Sequence, residues 1–143
     1  MERLKVLVVD DESRMRKLVR DFLVKDGYDV LEAGDGEEAL EIFFGQKDIA
    51  LIVLDVMMPK LDGWQVCREV RALSKVPIIM LTARSDERDE LQGFQMGVDV
   101  YISKPFSPKI LVQLVRPAQY GFNPCHQDLG AERFGDVYVH PHL

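Results

Sequence analysis

The chain is short of cysteine, of tryptophan and of long apolar runs. With only Cys67 and Cys125 there is no spaced cysteine framework. That excludes a disulfide-built mini-protein and suits a reducing, cytoplasmic compartment. No apolar run approaches the ~20 residues a bilayer span needs, and no signal-peptide pattern opens the chain, so no membrane association is expected. All three histidines, His126, His140 and His142, fall after residue 116, which leaves none for chemistry upstream. Basic charge is scarce too. Lys and Arg number 18 against 24 Asp and Glu, a net charge of −6. Such a surface repels phosphate backbones and argues against direct nucleic-acid binding.

Core-forming residues, by contrast, are plentiful. The chain has 143 residues, 47% hydrophobic and 29% charged, enough for one soluble domain of common size. Residues 1–116 alternate short apolar runs with amphipathic stretches. The runs at Leu4–Val9, Tyr28–Glu32, Ala50–Leu54, Pro77–Leu81 and Val100–Ile102 read as strands, most of them continuous enough to be buried on both faces. Helical patterns lie at Ser13–Lys25, Gly36–Phe44, Gly63–Leu73, Glu87–Met96 and Ser107–Val115. In the first, Met15, Leu18, Val19, Phe22 and Leu23 recur at helical spacing; Asp11 or Ser13 can cap it and Gly27 can close it. Five such repeats imply a doubly wound α/β domain: a five-stranded parallel sheet with helices on both faces.

Residues 117–143 break the pattern, with Pro117, Pro124 and Pro141 among Gly121, Gly130 and Gly135. Pro117 is expected to end the fifth helix close to Arg116. Only Asp136–His140 reads as a strand, so this tail is expected to be poorly ordered or packed adventitiously. Cys125 with the three histidines matches no strong zinc-ligand spacing.

In open α/β sheets ligands bind beyond the carboxyl ends of the strands. There the sequence places Asp10 and Asp11 after the first strand, Asp55 after the third, Thr82 after the fourth and Lys104 after the fifth. Three like charges in one crevice repel unless a cation neutralises them, and a hard divalent ion suits oxygen ligands. Thr82 brings a hydroxyl and Lys104 a mobile charge, both suited to phosphoryl oxygens.

The segments VLVVDDE, LIVLDVMMPKLDGW, PIIMLTAR and GVDVYISKPF, in that order, resemble the receiver domain of bacterial two-component response regulators, a flavodoxin-like fold. The resemblance covers residues 4 to about 116. It implies that Asp55 is the phosphoacceptor, taking a phosphoryl group from the phosphohistidine of a sensor histidine kinase. It implies a Mg²⁺ (or Mn²⁺) ion bound by Asp11, Asp55 and the Met57 carbonyl, with Asp10 acting through a water. Thr82 and Lys104 would touch the phosphoryl oxygens, Thr82 and Tyr101 would switch conformation, and the Lys104–Pro105 peptide would be cis. On this reading the chain is a signalling domain with its own autophosphorylation and autodephosphorylation chemistry, rather than an enzyme.

Taken singly, Asp10 and Asp11 read as helix caps, Tyr101 as a strand aromatic, Asp62–Gly63 as a helix start, and Trp64 and Cys67 as packing. Two other classes fit less well. An aspartyl-phosphate hydrolase usually carries a second acid two residues after its nucleophile, where Met57 stands. A flavin module needs a hydroxyl- and glycine-rich loop where Asp10–Asp11–Glu12 stand.

Residues 81–108 look most like the subclass whose receivers precede a winged-helix output domain, so the parent protein is expected to be a transcriptional regulator. That subclass dimerises through its fourth helix, fifth strand and fifth helix by crossed ion pairs. Here Glu90, Val100, Ile110 and Leu114 replace the usual partners and Asp99 is kept, so the same face would be apolar. Residues 117–143 cannot supply a winged helix. Two expectations stay open: a receiver truncated or altered after Arg116, or a stand-alone receiver that docks to a partner.

Overall fold

The computed structural model describes residues 3–56, 58, 60–82, 97–103, 108–119, 133–134 and 137–139. The helical pattern expected at Glu87–Met96 lies outside them. Five strands form the parallel part of the sheet: β1 Lys5–Val9, β2 Asp29–Ala33, β3 Ile49–Asp55, β4 Ile78–Thr82 and β5 Val100–Ser103. The described helices are α1 Ser13–Lys25, α2 Gly36–Gly45, α3 Gly63–Arg71 and α4 Pro108–Gln119. Two short strands, β6 Arg133–Phe134 and β7 Val137–Val139, extend the sheet antiparallel beyond β5. Strand order is β2-β1-β3-β4-β5-β7-β6. From β1 the chain first adds a strand on one side and then, with β3, on the other. The topological switch point therefore lies between β1 and β3.

Alternation along each strand divides the core in two. Val6 and Val8 of β1, Leu51 and Val53 of β3, and Ile79 and Leu81 of β4 face one side, where Val19 and Leu23 of α1 and Leu111 and Val115 of α4 cover them. Leu7, Val9, Ile52, Leu54, Ile78 and Met80 face the other, under Ala39 of α2 and Val66, Cys67 and Val70 of α3. Both faces being covered is why these strands read as unbroken apolar runs.

Helix ends follow local chemistry. The Asp35 carboxylate accepts from the Glu38 N–H at 2.8 Å and caps α2. Asp62 and Gln65 form a reciprocal capping box on α3, bearing out Asp62 as a helix start. For α1 the expectation needs correcting: neither Asp11 nor Ser13 caps it. The N-cap is Glu12, with no side-chain cap; its N–H is taken instead by Asp10 Oδ1 at 2.9 Å. Gly27 does close that helix, with φ +100°. Pro117 does not stop α4 at Arg116, because the helix runs on to Gln119. A proline this near the end forfeits the bond its N–H would make to the carbonyl of Gln113 and crowds that carbonyl, but it disturbs no more than the last turn.

Arg16 and Arg20 on α1 clamp Glu32 of β2, with Nε of the first and Nη1 of the second each 3.0 Å from a carboxylate oxygen. Burial alone would push the Glu32 carboxyl up. The two guanidinium hydrogen bonds outweigh it and hold the group below its usual range. A depressed carboxyl stabilises the fold above its unfolded pKa, and that contribution fades as pH falls. Glu32→Gln is therefore expected to lower stability at neutral pH and to flatten its loss below about pH 4.5, read by urea unfolding at each pH. Cys67 is buried in α3, and burial pushes its thiol up to about 11. Its native-state labelling at neutral pH should be at least about a hundredfold slower than in the urea-unfolded chain, followed by peptide mass mapping.

Candidate functional site

Beyond the carboxyl ends of β1 and β3, at the switch point, the structure gathers Asp10, Asp11 and Asp55, whose ligating oxygens all lie within 4.8 Å of one another. Asp10 is 1% and Asp55 4% exposed, whereas Asp11 faces solvent. Residues one apart on a strand point to opposite faces, so Asp10 and Asp11 meet at one place only because β1 has ended at Val9 and the chain turns there. That turn is held on three sides. The Asp10 N–H donates to the Ala33 carbonyl at 3.1 Å, Arg16 Nη1 donates to the Asp10 carbonyl at 2.8 Å, and Glu12 N–H donates to the Asp10 carboxylate.

Asp55 is the last residue of β3, paired with Leu81 of β4. The Val56 N–H donates to the Leu81 carbonyl at 2.9 Å, and the Val56 carbonyl accepts from the Gly63 N–H at 2.9 Å. Gly63 has to be glycine. A Cβ there would lie 2.5 Å from the Asp55 carbonyl oxygen and 2.8 Å from Val56 Cα. The loop between them carries Lys60 at φ +65°, uncommon outside glycine and asparagine. Its ammonium lies 3.6 Å from the Asp35 carboxylate.

The other expected site residues are placed in part. Thr82 ends β4 and pairs with Ser103 across to β5; its side chain, Met57 and Lys104 lie outside what is described. Tyr101 is fully buried in β5 and stacks on Trp64 of α3, ring centroids 6.3 Å apart at 24°. Trp64 is partly exposed packing, as expected. Val100 corrects the expected apolar face: it is 1% exposed, packed into the core layer that holds Leu111 and Val115 of α4. Ile110 is 45% exposed. Asp99 is engaged within the chain, accepting from Arg71 Nη2 at 3.2 Å and from the Ile78 N–H at 2.8 Å.

Sequence reasoning missed Arg16. An arginine one turn into a helix reads as solvent-facing, and nothing in its spacing signals a bond to the turn before that helix.

The donor set tells what the crevice suits. Three carboxylates with two of them withdrawn from water favour a hard, oxygen-seeking divalent cation over a soft metal, which would want sulfur or imidazole. Among the described residues no helix is long and apolar enough to cross a membrane.

Residues 6–116 match the response regulator receiver domain family. The chain is 53% identical over 116 residues to a probable transcriptional regulator ycf27 of Porphyridium aerugineum, covering 81% of this chain and 48% of that protein. It thus spans about half the length of the curated relatives it matches. Among solved structures, the receiver domain of the Francisella response regulator 1452 superposes with a TM-score of 0.78 at 32% identity, over 83% of this chain and 98% of that one. DrrB of Thermotoga maritima, described as an OmpR/PhoB homologue, gives 0.75 at 31% identity, over 98% of this chain and 61% of that one. A shared fold, a family match over most of the chain and acids gathered at the switch point agree, and the chain belongs to the response regulator receiver family, as the receiver domain of a two-component response regulator.

Proposed function

We propose that this receiver takes a phosphoryl group onto Asp55 from the phosphohistidine of a sensor histidine kinase, in a Mg²⁺-dependent reaction. The observation that carries the reading is the burial of Asp55 against Asp10 and Asp11. An Asp55 oxygen attacks phosphorus in line. The new O–P bond forms as the P–N bond breaks, and its electron pair returns to the imidazole of the kinase. Asp11, Asp55 and the Met57 carbonyl would hold the ion, with Asp10 acting through a water. When bound, Mg²⁺ (or Mn²⁺) screens the approaching negative charges and aligns the oxygens.

The chain's own groups do the rest. Arg16 holds the Asp10 main chain so that the two acids after β1 face the crevice. The Gly63–Val56 bond fixes the peptide that follows Asp55. Thr82 and Lys104 would engage the transferred phosphoryl oxygens, at the ends of β4 and β5, the next two strands of the sheet after β3. Movement of Thr82 would pass to Tyr101, whose ring is already packed inward on Trp64. The acyl phosphate is hydrolysable, so the same site supplies autophosphorylation from small donors and autodephosphorylation. The setting would be cytoplasmic, and the parent protein a transcriptional regulator, as its relatives are described.

The test is intact-mass spectrometry after incubation with Mg²⁺ and a small acyl-phosphate donor. The expected result is a gain of one phosphoryl group that disappears in Asp55→Asn and when Mg²⁺ is chelated. Equal labelling in Asp55→Asn would overturn the assignment. The single tryptophan gives a second readout. Mg²⁺ should change Trp64 fluorescence in the parent chain, and Asp11→Asn should raise the Mg²⁺ concentration required about tenfold or more.

A further inference from the structure

A parallel sheet built in this order has two open edges, β2 and β5, and the chain treats them differently. The β2 edge carries the exposed Asp29, a charge that discourages another strand from adding there. The β5 edge reads Val-Tyr-Ile-Ser, with no charge at all. The nearest acid, Asp99, is turned to Arg71 and the Ile78 N–H. An uncharged edge of this kind accepts strands.

In this structure β7 fills that edge, and its sequence tells what else would fit. Val137-Tyr138-Val139 nearly repeats Val100-Tyr101-Ile102. The antiparallel register sets Val100 opposite Val139, Tyr101 opposite Tyr138 and Ile102 opposite Val137. Replace β7 by the β5 of a second copy, about a two-fold axis through Tyr101, and the same pattern results. Tyr101 faces the other copy's Tyr101, and Val100 faces its Ile102. In that register Asp99 meets Ser103, so no like charges oppose each other. The pairing is isologous, as a two-fold dimer requires.

We propose that the β5 edge is a docking surface for the β5 strand of a second copy, and that Val137–Val139 occupies it in cis as a stand-in for that strand. The tail is then a removable cap: three paired residues hold the edge closed in the monomer, and their release opens it to a continuous two-copy sheet. This surface is the strand edge itself, distinct from an ion-pair lattice between helices.

The test uses the full chain and its Tyr138→Pro variant, since proline is excluded from the middle of a paired strand. Far-ultraviolet circular dichroism first establishes that the variant keeps the parallel sheet, to which Tyr138 does not belong. Sedimentation velocity is expected to show self-association about tenfold tighter in the variant than in the parent chain. Hydrogen exchange at Val100–Ser103 should be slow in the parent, fast in the dilute variant and slow again once the variant dimerises. A synthetic peptide of residues 133–139 should return the dimer to monomer, and the same peptide carrying proline at its Tyr138 position should not. A monomeric variant, a dimer whose β5 amides stay open, or β5 exchange unaltered by the substitution would each overturn the proposal. Should the variant lose its sheet, the peptide added to the parent chain decides instead. Binding in trans that frees the tail supports the exchangeable cap, and its absence at saturating peptide overturns it.

Discussion

Two carboxylates almost wholly removed from water, Asp10 and Asp55, sit with a third, Asp11, inside 4.8 Å. The rest of the molecule can be understood as what it takes to keep them there. At that spacing a like-charged pair repels by roughly 3 kcal/mol even at an effective dielectric near 20. A loop free to relax would let the acids part. They are instead carried at the carboxyl ends of adjacent parallel strands, Asp55 as the last residue of β3 and Asp10 and Asp11 just past β1, and those strands are locked into both halves of the core. The repulsion is thus set against the packing of the whole sheet, and it is relieved by positive charge arriving at the crevice.

The two core layers serve different ends. The layer under α1 and α4 is aliphatic apart from Tyr28 and acts as a base for the sheet. The layer under α2 and α3 contains Tyr101 and is flanked by Trp64, so an aromatic stack joins β5 to the first turn of α3. That turn also holds the peptide after Asp55 through Gly63. A change at the end of β3 and a change in β5 therefore have a common neighbour, separated from each by one contact.

Much of this was legible in the sequence. The parallel strands announced themselves as apolar runs because they are buried on both faces, and the acids stood out because each directly follows such a run. Asp62 and Gly27 carried ordinary helix-end chemistry. The departures have physical reasons. Pro117 reads as a helix stop, but a lost bond and a crowded carbonyl confined to the last turn do not outweigh the helix already formed. Asp11 and Ser13 look like caps, yet the bond goes to Asp10, one residue earlier. Val100 reads as part of an outer face, but its side chain is turned into the core layer under α1 and α4, a choice of face that a four-residue strand does not reveal by itself. Arg16 and its bond to the Asp10 carbonyl were invisible too: the partner is a main-chain atom, and any residue type would offer it.

The Gly63 contact bears on how such a site endures change in the amino acids around it. Here main chain rests directly on main chain, with no room for even a methyl group between α3 and the end of β3. Side chains can be exchanged for others of similar bulk throughout both layers, and each exchange is absorbed by small shifts in rotamer and packing. A contact made only of peptide atoms has no rotamers to adjust and acts as a mechanical stop. The position of the Asp55 main chain is thereby insulated from drift in the core, and the tail, the charged surface and the outer edges are free to diverge while the cluster of acids stays in place.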